Sequence, residues 1–263
     1  MIGEVTVNID SVRVAQAYSG LDKLNACYTT DLRENCNTAA NLKRILDLVR
    51  DQIGFGWCVS NHDFSRHNSA LGNETQETAR FYALLISCMP GPWLMYQGEE
   101  WGLPQPDHLK QTDVQDPFDL IYWPDGPGRS GARVPLPWAH EIKQNYGFSE
   151  GTPWLPMNWD KYQCHDVQEK DEASILAFYR EVITLCRELQ LNRAQITEVS
   201  DRDNILQIKY RKDGNAYQAL FTFEAATYDL AEYDDHEVVI ATCALQDRRL
   251  PAFSGVIYRL NQS

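Results

Sequence analysis

Three polar side chains in a row, Asn61, His62 and Asp63, follow the apolar run of residues 55–59. That run is aromatic and β-branched and begins after a glycine, which predicts a short buried strand. At the C-terminal end of such a strand, a histidine and a carboxylate can bind hydroxyls, move a proton or stabilise a developing positive charge. In a parallel α/β barrel reactive groups converge at that end, because the βα loops open there. By itself the triplet is also the composition of an ordinary loop. Two other places set carboxylates beside apolar runs. Glu4 lies within Met-Ile-Gly-Glu-Val-Thr-Val at residues 1–7, a strand-like stretch where an unpaired carboxylate would be costly. A strand-end glutamate facing solvent is the plainer reading of Glu4. Glu99 and Glu100 follow Trp93-Leu94-Met95-Tyr96 and Gln97-Gly98, and read as structural groups at the end of another strand.

The elements that must position these groups are legible as a rhythm. A short helix over residues 10–20 is stopped by Gly20, and residues 24–32 are a second strand candidate. Asn37-Thr38 offers a helix cap ahead of Leu42, Ile45, Leu46, Val49 and Ile53 at helical spacing. Residues 77–89 predict a helix whose second half is apolar nearly all round, broken by Pro90-Gly91-Pro92. Trp93 to Tyr96 is then a further short strand. Strand, helix, strand, helix at this spacing is the mark of βαβ units on a parallel sheet, and the right-handed crossover curls such units into part of a barrel. Residues 102–160 break the rhythm with prolines and tryptophans and no helical period, as a functional loop or an insertion does. Residues 171–191 form an amphipathic helix through Ile175, Phe178, Val182, Ile183, Cys186 and Leu189. After about residue 192 the period becomes two, with strands at residues 205–210, 219–223, 238–241 and 256–260 and turns at Gly214, Asp234-Asp235 and Gly255. The expected organisation is an α/β part over residues 1–192 and a small antiparallel all-β domain over residues 193–263.

Composition sets the outer bounds. With 24 Lys and Arg against 37 Asp and Glu, the net charge is −13, which argues against nucleic acid or an anionic membrane surface as partner. A neutral sugar is untouched by that argument. Seven cysteines without CxxC pairs or Cys/His spacing predict reduced structural thiols in a cytoplasmic protein, with no metal and no cofactor. Neither a secretory signal nor an apolar run of membrane-spanning length is visible.

Ile2-Gly3-Glu4-Val5, Val59-Ser60-Asn61-His62-Asp63 and Tyr96-Gln97-Gly98-Glu99-Glu100 resemble successive motifs of the α-amylase family, glycoside hydrolase family 13. Gln115-Asp116-Pro117 and the segment from Gly128-Arg129-Ser130-Gly131-Ala132-Arg133 to Val134-Pro135-Leu136-Pro137-Trp138 are similar to segments of its α-glucosidase and oligo-1,6-glucosidase branch. The resemblance implies strands five to eight of a (β/α)8 barrel, its second half, followed by the C-terminal β domain. It implies Glu4 as general acid/base and Asp63 as the carboxylate that holds the sugar as its ring flattens towards an oxocarbenium ion. His62 and Arg129 would bind the same ring, with Arg133 the second choice for the arginine. A retaining mechanism needs an acid of raised pKa, and burial with a like-charged neighbour in Asp63 would raise that of Glu4.

Departures limit what the resemblance implies. Position 130 is Ser where the family has Asp, and Val134 stands for a Thr. No Gly-Phe-Arg-x-Asp, the motif of the family's nucleophile, occurs in the 263 residues, and the strand that carries it in the family precedes the one holding Glu4. Without a nucleophile a retaining mechanism has no covalent step. Three readings follow: the C-terminal part of an α-glucosidase acting on small malto- or isomalto-oligosaccharides, an inactive sugar-binding or scaffold protein, or an enzyme that receives its nucleophile from another chain. The cut barrel would leave two strand edges and the apolar surface of Trp57, Val59, Trp93 and Leu94 open. A homodimer, or the missing N-terminal half of the enzyme, is therefore an expected partner.

Overall fold

β1 (Ile2–Val5), β2 (Ala26–Thr29) and β3 (Phe55–Trp57) form a three-stranded parallel sheet in the order β1-β2-β3. The register pairs Glu4 with Tyr28, and Thr29 with Trp57. Helix Ser11–Tyr18 connects the first two strands, and helix Ala39–Val49 precedes the third. The second helix forms where its sequence says it should. Thr38 caps it by accepting from the Asn41 N–H at 3.2 Å, and Leu42, Ile45, Leu46 and Val49 are all buried. The computed structural model describes residues 1–5, 11–20, 22–35, 38–51, 54–126, 128–141, 143–223, 228–245 and 249–261. Thr6 and Val7 of the expected first strand, Asn37 of the cap and Ile53 of the helical pattern lie outside them.

The chain divides into two compact units. One comprises Met1–Cys58, Arg80–Leu94 and Val182–Ser263; the other comprises Val59–Ala79 and Met95–Glu181. In the first, the expected strand at Trp93 shrinks to one parallel bridge with Trp57, held by Trp57 N–H to Pro92 O at 3.0 Å and Leu94 N–H to Trp57 O at 2.8 Å. Met95, which follows, is exposed, so no longer strand is buried there. Trp57 is fully buried, stacks on Phe55 and donates its indole N–H to Pro90 O at 2.6 Å. Val59 is buried as well. The expectation that these two side chains would present an open apolar surface is therefore corrected: both are buried.

The antiparallel sheet of the same unit has the order β4-β5-β6-β10-β8, with β4 (Gln195–Arg202), β5 (Ile205–Lys212), β6 (Asn215–Thr222), β8 (Glu237–Ala241) and β10 (Ser254–Leu260). β7 (Tyr228–Asp229) and β9 (Arg249–Leu250) make a separate pair. β4 escapes a period-two reading because its register shifts between Ile196 and Glu198, and its buried residues Ile196 and Val199 fall three apart. The apolar second half of helix Gln76–Ser87 has its explanation here. Phe81 sits edge-on to Phe221, Phe223 and Phe253 at 5.1–5.9 Å, and the Tyr210 hydroxyl donates to Cys88 O at 2.7 Å.

The second unit has no strand among its described residues. Its core gathers Trp101, Leu103, Val134, Leu136, Tyr146, Leu155, Trp159, Cys164 and Leu176 from the long irregular segment and the start of helix Ile175–Leu189. Polar side chains fix this segment where periodic backbone bonding cannot. Gln168, for example, donates to Trp101 O and Tyr162 O, and accepts from the Leu176 N–H.

Gly91 joins two pieces of the first unit. Its N–H donates to Asn192 O at 2.9 Å, its carbonyl accepts from Asn192 Nδ2 at 3.0 Å, and its φ is +104°. A Cβ there would lie 2.2 Å from Phe55 O, against backbone that cannot step aside. Gly91→Ala should lower the unfolding free energy by about 2 kcal/mol or more. Urea titration checks this, and an unchanged midpoint would contradict it.

Candidate active site

The residues after β3 are turned by their own side chains. Asn61 Oδ1 accepts from the Asp63 N–H at 2.9 Å, an Asx turn that presents His62 and Asp63 outward. Ser60 is buried, accepts from the His67 N–H at 2.8 Å and pairs with His67 Nδ1 at 3.0 Å. Arg66 is buried too, and its guanidinium donates to Gln97 O at 2.7 Å and Ala132 O at 3.0 Å, beside the Tyr96 ring. One arginine thereby holds two other stretches of chain to the turn. Gln105 supports it, accepting from the Arg66 N–H and donating to Gly128 O.

The second side of the site is built by helix Pro117–Tyr122 and the short helix Arg129–Ala132. Asp116 caps the first by accepting from Phe118 N–H at 2.9 Å and Asp119 N–H at 3.2 Å, with Pro117 at the first helical position. Asp119, buried, accepts from the Arg129 and Ser130 N–H groups and so fixes the start of the second helix. Arg129 and Arg133 then lie one turn apart on a common target. Asp63 Oδ1 meets Arg129 Nη2 at 2.6 Å, Arg133 Nη2 at 2.9 Å and His62 Nε2 at 3.5 Å. Asp116 Oδ2 meets Arg133 Nη1 at 2.8 Å and Arg129 Nε at 3.5 Å. Arg133 Nε also donates to His62 O at 2.8 Å. Two carboxylates and two guanidiniums alternate in one charge-balanced cluster of charge-assisted bonds. Partial burial pushes the Asp116 carboxyl up, but the Asp119 and Phe118 N–H groups and both arginines outweigh it, and its net displacement is downward. The contacts of His62, Arg129 and Arg133 with Asp63 converge on its Oδ1. No group of three or more His, Cys, Asp and Glu suited to a metal ion occurs among the described residues.

Comparison with known proteins shows the family of the chain. The family model of the α-amylase catalytic domain matches residues 8–195. The chain belongs to the α-amylase family. It is 30% identical over 287 residues to a probable alpha-glucosidase of Rhizobium meliloti, an alignment covering 98% of this chain and 49% of that protein. To an oligo-1,6-glucosidase of Parageobacillus thermoglucosidasius it is 29% identical, covering 56% of this chain and 30% of that one. Among solved structures, the α-glucosyl transfer enzyme XgtA superposes with a TM-score of 0.82 at 25% identity, over 98% of this chain and 50% of that enzyme. The fold is thus that of the α-amylase family, a barrel followed by an antiparallel β domain. The chain spans about half the length of the first of these relatives and of XgtA, and less of the second.

Within the family's motifs, three of the four sequence-derived site residues, His62, Asp63 and Arg129, come together. Arg129 reaches Asp63 although Ser130 and Val134 depart from the family pattern; both are buried behind it. Arg133, ranked second from the sequence, makes the fuller set of contacts. Asp116 stands in the sequence only as part of a motif, yet the Asp-Pro step that caps a helix is a readable signal for it. Glu4 stands in β1, in the other unit, and is exposed. Its neighbour Val5 is buried, so the strand's alternation turns the Glu4 carboxylate to the opposite side, and burial among apolar neighbours is not supplied by this strand.

Glu99 is a further buried carboxylate. Burial pushes its carboxyl up to about 8, against the lowering from the Tyr96 main chain, Arg66 and Ser60. The folded chain therefore holds a proton that the unfolded chain, with the ordinary value of 4.5, has released. Stability from this group is complete below that ordinary value and is lost progressively as pH rises towards 8. Glu99→Gln should remove that loss and, by about pH 8, be more stable than the parent by a few kcal/mol. Urea midpoints across this pH range check the sign, and parallel curves for the two proteins would contradict it.

Proposed function

We propose that this chain carries the second half of an α-amylase-type barrel, strands five to eight within residues 1–192, and a C-terminal β domain over residues 193–263, of a retaining α-glucosidase. Its substrates on this reading are small α-linked malto- or isomalto-oligosaccharides, and its location is cytoplasmic. The supporting observation is the convergence of Arg129, Arg133 and His62 on Asp63 Oδ1, at positions that resemble motifs of the family. Cys27, Cys88, Cys164 and Cys186 lie buried or half-buried without a disulfide, in keeping with a reducing compartment. No helix of the described residues is long and apolar enough to cross a membrane.

The roles follow from chemistry. As the glycosidic bond breaks, the sugar becomes a flattened ring with positive charge at its anomeric carbon. A carboxylate already fixed by two guanidiniums meets that ring without reorganising, which is what electrostatic preorganisation requires. Asp63 takes this part, accepting ring hydroxyls, while His62 and Arg129 donate to the same sugar. Glu4 protonates the leaving oxygen and later activates water. The nucleophile lies outside these 263 residues, since no Gly-Phe-Arg-x-Asp is among them. Completion then rests on another polypeptide segment or chain.

A catalytically inactive sugar-binding or scaffold protein draws on the same missing motif. Enzyme assay and binding separate the two. The chain alone should not hydrolyse maltose, isomaltose or an aryl α-glucoside above background, and turnover that vanishes in Glu4→Gln would overturn the assignment of the nucleophile. It should bind 1-deoxynojirimycin, a cationic glucose mimic, and Asp63→Asn should weaken that binding about tenfold or more by calorimetry, the cost of losing a charged acceptor. Equal affinity in the variant would refute the role of Asp63.

A further inference from the structure

Helix Pro117–Tyr122 reverses the usual arrangement of a surface helix. Its buried residue is Asp119, while Phe118, Leu120, Ile121 and Tyr122 are 49%, 42%, 73% and 54% exposed. Helices are ordinarily held by their apolar face, whereas this one is held by its acids, Asp116 at the cap and Asp119 on the Arg129 and Ser130 N–H groups. The aromatic side chains are left to solvent in a chain whose other apolar residues are mostly packed. Phe118 and Tyr122, one turn apart, pair at 5.1 Å between ring centroids. Phe118 is in turn continuous with the site: the Arg129 guanidinium that grips Asp63 lies 5.7 Å from the centre of its ring.

We propose that the Phe118–Tyr122 pair is the platform on which the second ring of an α-linked disaccharide stacks when the first ring is held at Asp63. The inference rests on the reading of Asp63 as the sugar carboxylate, and adds to it the residues that distinguish a disaccharide from glucose. A pyranose offers an apolar face of C–H groups to an aromatic ring and hydroxyls at its rim, and an exposed aromatic pair beside a charged cluster meets both needs. Charge favours the same occupant. A neutral saccharide is indifferent to the net charge of −13, whereas a second copy of the chain brings an equal charge against it.

The test is calorimetric titration of the chain, and of Phe118→Ala, Tyr122→Ala and Phe118→Tyr, with glucose, maltose and isomaltose. Sedimentation and urea unfolding are run on every variant. The unaltered chain should bind at least one disaccharide about tenfold more tightly than glucose, a difference aromatic contact can supply. Phe118→Ala should abolish that preference, Tyr122→Ala should reduce it while glucose affinity stays within about twofold, and Phe118→Tyr should keep it. Equal binding of glucose and disaccharide by the unaltered chain overturns the platform and leaves the Asp63 site standing. So does a preference that survives in Phe118→Ala, or a dimer that dissociates in that variant and so assigns the patch to chain–chain contact. Binding of none of the three sugars overturns the Asp63 reading and the platform with it.

Discussion

Two arginines share two aspartates, and the loops of the site are shaped around that arrangement. An Asp63 or Asp116 carboxylate alone at this place would carry a desolvation cost, and so would either guanidinium. Together they cancel charge over a few ångströms, and three of the four pairings are of the short, charge-assisted kind. The cluster fixes three separate pieces of chain: the turn after β3, the start of helix Pro117–Tyr122 and the helix Arg129–Ala132. Removing one member leaves an unmatched charge, so the four residues behave as a set.

The shell behind the cluster is made of buried and half-buried polar groups bonded mainly to backbone. Arg66 grips Gln97 and Ala132, Gln105 grips Arg66 and Gly128, and Asp119 grips Arg129 and Ser130. Such networks rigidify when satisfied. They let a long segment without strands carry a precise site, because backbone groups that lack sheet partners are taken up by side chains. The apolar cluster around Trp101 and Trp159 supplies the burial beneath them.

Much of this was readable from the sequence because it is local. The strand at residues 55–57, the cap at Thr38 and the all-round apolar face after Phe81 follow from period and turn chemistry, whereas the grouping of His62, Asp63 and Arg129 follows from the family resemblance alone. What escaped depended on distant partners. The strand expected through Tyr96 ends at a single bridge because the chain leaves the sheet after Leu94, which no local pattern announces. β4 was hidden by a shift in register that only its partner strand reveals. Glu4 is exposed, as the plainer reading of its strand has it, whereas the resemblance implies burial among apolar neighbours. Arg133 emerges as a full member of the cluster through contacts 71 and 70 positions back, with His62 and Asp63, and Asp116 joins it through Arg133, 17 positions on.

The central claim is that Asp63, fixed by Arg129 and Arg133, is the sugar-binding carboxylate of this chain. A crystal structure of the chain soaked with 1-deoxynojirimycin addresses it most directly. The account predicts the inhibitor's hydroxyls and ring nitrogen around Asp63 Oδ2, with His62 at the same ring and both arginines still on Oδ1. An inhibitor bound elsewhere, with Asp63 touched only by its arginines and His62, would contradict it.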